Sequence, residues 1–258
     1  MALLSLSKVE SYIENFKVLK GVSFSVQQGE TVGIIGPNGS GKTTLFNAVS
    51  GFVPISSGKI TFKGNNISSL SPYKRAKLGI GRVFQNFGIF KQMTVLDNML
   101  IAIEARQRGL HKVFPWLSQN KKNKELALNY LAKVGLEDRA KETAASLSGG
   151  QLRLLELIRT LAFGAELFLL DEPTAGVSPK MKKDIAELIT DICNQGRTII
   201  IIEHDLAFIE EFCERVIVLN VGQVVLDDTP QVVRSHPLLK EIYFGKENQI
   251  KGEERNEQ

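Results

Sequence analysis

The stretch "VGIIGPNGSGKTTLFNAVSG", Val32 to Gly51, runs from a continuous apolar segment through a glycine-rich turn into an amphipathic one. Gly36-Pro37-Asn38-Gly39-Ser40-Gly41-Lys42-Thr43 fits the eight-position P-loop pattern, directly after a predicted strand and directly before a predicted helix. Glycines let backbone N–H groups approach phosphate oxygens with no Cβ in the way. The helix that follows adds the partial positive charge of its N-terminus. Lys42 can reach the β- and γ-phosphates of a nucleotide, the Thr43 hydroxyl can ligate Mg²⁺, and Thr44 continues the loop into the helix.

A P-loop needs a second anchor for the metal, an acid at the end of a buried strand. "LFLLDEP" supplies Asp171 after four apolar residues, with Glu172 next to it. Asp171 can hold Mg²⁺, directly or through water, and Glu172 can polarise an attacking water as general base. The bland alternative, two acids in an exposed turn, fits poorly with a P-loop in the same chain. "IIIIEHD" repeats the geometry and ends in Glu203, His204 and Asp205. His204 at such a strand end can hydrogen-bond a γ-phosphate and orient the water, or it can be structural. Gln85 in "GRVFQNFGIF" can touch both Mg²⁺ and water through its neutral amide, although a surface glutamine needs no explanation.

Outward from these motifs the chain reads as strands near its start: "VSFSV" (22–26), "ETVGIIG" (30–36) and "GKITFKG" (58–64). From about Ser71 to Glu156 the pattern is mostly helical. Helices are predicted over Thr94–Gln107 and Lys124–Leu136, with the irregular "RGLHKVFPWLSQNKK" between them. "LFLL" and "TIIII" are β-prone runs of the kind covered on both faces, and "MKKDIAELITDICNQG" reads as a helix closed by Gly196. This is βαβ logic, hence an α/β core with a largely parallel sheet, interrupted by a helical insertion between about 87 and 151.

A second glycine pair lies in "AASLSGGQLRLLELIRT", Ala144 to Thr160. Ser148 can act as N-cap of the helix that follows, leaving the backbone donors at Ser148, Gly149 and Gly150 suited to an anion. The alternative is a simple helix cap.

Composition excludes other classes. With 43% apolar and 23% charged residues the chain is ordinary for a folded soluble protein, and disorder is confined to ends such as the polar tail 246–258. A formal charge of +4 is compatible with nucleic acid. The densest basic run, however, is only "NKKNK" (120–124), without interleaved aromatics, and reads as a solvated loop or protein contact. Cys193 and Cys213 lack metal-ligand spacing and read as buried reduced thiols. "MALLSLSKVE" lacks the basic n-region of a signal peptide, and apolar runs such as "TIIII" fall far below the ~20 residues of a membrane span.

"GPNGSGKT", Gln85, "LSGGQ", "LLDEP" and His204, in this order and spacing, resemble the nucleotide-binding subunit of an ATP-binding-cassette (ABC) transporter, over about residues 4–245. The resemblance implies a P-loop NTPase (RecA-like) α/β core with an N-terminal antiparallel β subdomain (1–86 and 152–245) and an inserted α-helical subdomain (87–151). It implies ATP and Mg²⁺ as ligands. It also implies that Ser148, Gly149, Gly150 and Gln151 face the P-loop of a second ATPase subunit, a copy or a paralogue, in a head-to-tail dimer. Two transmembrane permease subunits and, indirectly, a substrate-binding protein complete the assembly, with this chain peripheral on the cytoplasmic face of the membrane and no nucleic acid involved. "GRVFQNFGIFKQMTVLDNMLIA", "FPWL", "EPTAGVSP" and "LLKEIYFG" resemble importers of branched-chain and hydrophobic amino acids, with urea-type importers close in pattern. Two positions depart from the family. The adenine-stacking aromatic aligns with Ile13, leaving neighbouring Tyr12 as the expected platform, with Phe16 also nearby. Ser178 stands where an interface aspartate is common and can still hydrogen-bond across an interface. A soluble nucleic-acid ATPase of this superfamily and a P-loop kinase are the competing classes.

Overall fold

The computed structural model describes residues 2–84, 88–106 and 119–242. Gln85 lies outside them, as do Pro115, Trp116 and the tail from 246. The chain divides into two compact units, Met1–Arg75 with Thr198–Gln258, and Ala76–Arg197.

In the first unit, strands β1 (Ala2–Ile13) and β2 (Phe16–Gln27) form an antiparallel hairpin. β4 (Ser57–Phe62) and β5 (Asn65–Asn66) extend it to a sheet of order β2-β1-β4-β5. Alternation in "VSFSV" does what it predicts: Val22, Phe24 and Val26 are buried and the serines between them are not. The unit's other strands are β3 (Thr31–Ile35), β8 (Thr198–Ile202) and β9 (Arg215–Asn220). β3 pairs in parallel with β8 on one side and β9 on the other, and β10 (Gln223–Asp228) returns antiparallel along β9. Every residue of β3 and β8 is buried, as continuous β-branched runs require.

Helix α1 (Lys42–Ser50) follows the P-loop. Its last carbonyls are met by a buried guanidinium: Arg75 donates to Ala48 O at 2.5 Å and Val49 O at 2.9 Å. Those acceptors would otherwise be orphans of the helix C-terminus. α7 (Leu206–Phe212) is capped by Asp205, whose Oδ1 accepts from Ala207 N, and α8 (Pro230–Ser235) lies near the end of the described chain.

The second unit pairs β6 (Ile80–Val83) in parallel with β7 (Leu167–Asp171). β6 lies inside the stretch predicted as helical, just beyond α2 (Pro72–Leu78), and it corrects that expectation. α3 (Val95–Arg106), α4 (Gln119–Ala132), α5 (Gly149–Phe163) and α6 (Pro179–Asn194) make up its helices. α4 begins five residues before the predicted Lys124 and stops four before Leu136. The "NKKNK" run is therefore helical rather than a loop, its lysines exposed while Asn123, Ala127 and Leu131 bury one stripe at four-residue spacing. Gly135, at φ 65°, takes the left-handed turn that ends this segment. Cys213 is buried as expected, but Cys193 is only half-buried, and both are reduced. Among the described residues no helix is long and apolar enough to cross a membrane.

Candidate nucleotide site

The first unit carries the P-loop. Gly36 leaves β3 so close to the next strand that a Cβ there would sit 2.0 Å from Leu219 O, so no side chain fits without moving backbone. The loop is pinned from outside: Gly222 N, in the β9–β10 turn, donates to Ser40 O at 2.9 Å. Lys42 is buried and folds back over the loop, its Nζ donating to Gly36 O at 2.7 Å and Pro37 O at 3.0 Å. Ser40 Oγ is buried with no hydrogen-bond partner. The N-cap of α1 is Gly41, which has no side chain to cap the first-turn N–H groups. An orphaned hydroxyl, an uncapped helix start and a buried ammonium together fit a phosphate chain. Thr43 is exposed on the same first turn and Thr44 is buried.

His204 emerges from β8, whose Ile202 is in register with Ile34 of β3. His204 and Gly36 therefore leave adjacent parallel strands at the same carboxyl-terminal edge, where open α/β sheets bind ligands. His204 is exposed, and its backbone N–H donates to Glu203 Oε2 at 3.1 Å. Tyr12 pairs with Lys17 across the β1–β2 hairpin, with the Lys17 ammonium 6.0 Å from its ring centroid. Ile13 and Phe16 form the next pair, and Phe16 is the most exposed of the three at 76%.

The second unit carries the acids. Asp171 closes β7 and is buried; Glu172 follows at φ 48°. A left-handed backbone on a side chain of this size is strained, costing about 1–3 kcal/mol, and turns Glu172 away from the direction the strand would give it. Arg82 on β6 donates from Nη2 to Asp171 Oδ2 at 3.0 Å, and both side chains are only 5% exposed. Burial pushes the Asp171 carboxyl up and the Arg82 guanidinium down, and for both it outweighs their mutual attraction. The Glu172 charge nearby pushes Asp171 further up.

The residues that bracket Gln85 are tied to α5. Glu156 Oε1 accepts from Phe84 N at 3.2 Å and Gly88 N at 3.0 Å. Arg153 donates to Phe84 O and, at 3.2 Å, to Glu156 Oε2, while Arg159 donates to Gly88 O. Arg82, Arg153 and Glu156 escaped the sequence reading. Their signal was present, as charges inside the apolar runs "IGRV" and "LRLLELI", but only the fold supplies partners.

The loop at Ser148 is a capping box. Ser148 Oγ accepts from Gln151 N at 3.3 Å, and Gln151 Oε1 accepts from Ser148 N at 3.0 Å and from Arg139 Nη1 at 2.8 Å. The Ser148 and Gln151 donors are therefore engaged within the loop, which narrows the expectation of a fully open set of backbone donors. The two glycines also part company. Gly149 is exposed beside Ser148, whereas Gly150 is buried, and a Cβ on it would lie 2.0 Å from Met181 Cγ of α6. Gly150 is thus required by helix packing. Gly150→Ala is expected to destabilise the chain by about 1–3 kcal/mol through overpacking, despite the better helix propensity of alanine. Denaturant unfolding checks this, and Met181→Ala in the same chain should recover part of the loss. Ser178 has a structural duty too: its Oγ accepts from Met181 N at 3.4 Å and caps α6.

Residues 19–175 match the family of ABC transporters. The chain is 35% identical over 247 residues to a probable branched-chain amino acid transport ATP-binding protein of Archaeoglobus fulgidus, covering 95% of this chain and 96% of the relative. A lipopolysaccharide export system ATP-binding protein of Haemophilus influenzae is 33% identical, covering 96% and 99%. Among solved structures, a nucleotide-free ATP-binding cassette from an ABC transporter superposes with a TM-score of 0.83 at 34% identity, covering 95% of this chain and 99% of the other. A dimeric cassette in a post-hydrolysis state, bound to ADP and phosphate, matches at 0.77 and 28%, covering 88% and 98%. The P-loop, the strand-end acids and the capped "LSGGQ" helix thus sit in a fold shared with these cassettes, and the chain belongs to the ABC transporter family as one of its ATP-hydrolysing subunits.

Proposed function

We propose that this chain energises a membrane importer of branched-chain or other hydrophobic amino acids, as a peripheral subunit on the cytoplasmic face. The observation that carries the proposal is similarity along nearly the whole chain to a probable branched-chain amino acid transport ATP-binding protein. In this reading Gly36 to Thr44 and Lys42 grip the nucleotide phosphates. Thr43, Asp171 and Gln85 would hold Mg²⁺, which would supply neutralisation of phosphate charge. Glu172 takes the proton of the attacking water, and His204 orients that water against the γ-phosphate. Tyr12 is the proposed adenine platform. Ser148 and Gly149, the exposed pair at the start of α5, contact the nucleotide held by a partner cassette, a copy or a paralogue. ATP binds the closed pair better than the open one, and that differential affinity closes it.

The export relative supports a second reading, in which the assembly moves a lipid-linked solute outward. Reconstitution of the chain with its permeases in proteoliposomes separates them. Stimulation of ATP hydrolysis by a binding protein loaded with leucine or isoleucine supports import. Hydrolysis indifferent to every amino acid, or activated by lipopolysaccharide or nucleic acid, overturns it.

A further inference from the structure

Arg82 is a buried cation in the middle of a short strand, which demands a reason. A desolvated guanidinium is costly unless paired, and its partner here is the one carboxylate that the reading above assigns to the metal. The guanidinium is also stacked, with its central carbon 4.9 Å from the Phe84 ring centroid. The backbone of Phe84 in turn is held on both sides, its N–H donating to Glu156 and its carbonyl accepting from Arg153. Arg82 therefore stacks on a residue whose backbone is tied to α5, and it engages one defined oxygen of Asp171.

We propose that Arg82 is a positioning residue for the metal ligand Asp171: by holding Asp171 Oδ2 it sets the rotamer of that carboxylate and leaves Oδ1 as the oxygen available to Mg²⁺. Ligating carboxylates are oriented by hydrogen bonds from the shell behind them, and losing such a partner weakens metal affinity. A planar, stacked guanidinium is better suited to this than an ammonium on a flexible stem. The inference rests on Asp171 being a metal ligand, and the experiment is built to separate the two claims.

The full chain is titrated with Mg²⁺ at fixed concentration of a fluorescent ATP analogue, and the half-saturating Mg²⁺ is read from equilibrium binding. Nucleotide affinity in EDTA serves as the check that the phosphate loop is folded. Arg82→Met is expected to raise the half-saturating Mg²⁺ by about tenfold with EDTA affinity unchanged. Arg82→Lys, which keeps the buried charge balanced, is expected to raise it by a smaller factor, and it decides the matter if the methionine variant does not fold. Asp171→Asn is expected to raise it at least as far, and adding Arg82→Met or Arg82→Lys to it should change nothing more. If Asp171→Asn leaves the Mg²⁺ dependence as in the parent chain, the metal-ligand reading falls. If Asp171→Asn shifts it but the Arg82 variants do not, or they tighten Mg²⁺ binding, or their effects add to those of Asp171→Asn, the positioning role of Arg82 is overturned.

Discussion

Glu172→Gln is expected to lower the turnover number by about 10²–10⁴-fold while ATP still binds with nearly unchanged affinity. Glu172 sits at φ 48°, a strained position at the end of β7 that the surrounding turn enforces, with Ala175 N donating to its carbonyl at 3.2 Å. Glutamine has the same length and the same backbone tolerance, so it leaves this geometry and removes only the ability to take a proton. With hydrolysis stalled and binding intact, the ATP-bound form should accumulate, and ATP then holds two cassettes together by mass action. Phosphate release measures the first effect, and size-exclusion chromatography in millimolar ATP measures the second. A variant that hydrolyses at the parent rate places the base elsewhere. A variant that stalls yet stays monomeric counts against a nucleotide shared between two copies of this chain.

Much of this site was legible because its signals are local. The P-loop is eight consecutive residues between a buried strand and a helix, and the acids follow directly on "LFLL". The cap at Ser148 was legible for the same reason, since a capping box is written within four residues. What escaped depends on partners remote in sequence. β6 is four residues containing a glycine and an arginine, and only its pairing with β7 makes it a strand. Arg82 is tolerable inside that strand because Asp171, 89 residues away, neutralises it. The lysine-rich start of α4 looked like a loop because its buried stripe is thin, only Asn123 and Ala127 before Leu131. Likewise, two adjacent glycines look alike in a sequence, yet packing against Met181 separates Gly150 from Gly149.

The sharpest test of how the two phosphate-suited loops divide their labour is a contrast between Lys42→Ala and Ser148→Arg. Lys42 presents a buried ammonium 2.7 and 3.0 Å from the loop carbonyls of Gly36 and Pro37, so its side chain already lies where phosphates are to be gripped. A charge-assisted contact of this kind is worth about 1.5–3 kcal/mol, roughly 10–150-fold in affinity. Lys42→Ala should therefore weaken ATP binding by at least about tenfold in the isolated chain and reduce hydrolysis to background. Ser148 is different. It is exposed, its hydroxyl caps α5, and arginine there loses that cap at a cost of about 1 kcal/mol, too little to unfold a chain of this size. Ser148→Arg should then bind ATP as tightly as the parent chain when monomeric, yet fail to dimerise with ATP and fail to hydrolyse it, because the guanidinium occupies the surface meant for another molecule's nucleotide. Equilibrium binding to the dilute monomer, with phosphate release at high protein concentration, reads both effects. If Ser148→Arg loses monomer affinity as Lys42→Ala does, the loop serves its own chain. If it hydrolyses ATP at the parent rate, the loop serves no nucleotide, and the capping box alone explains its serine and glutamine.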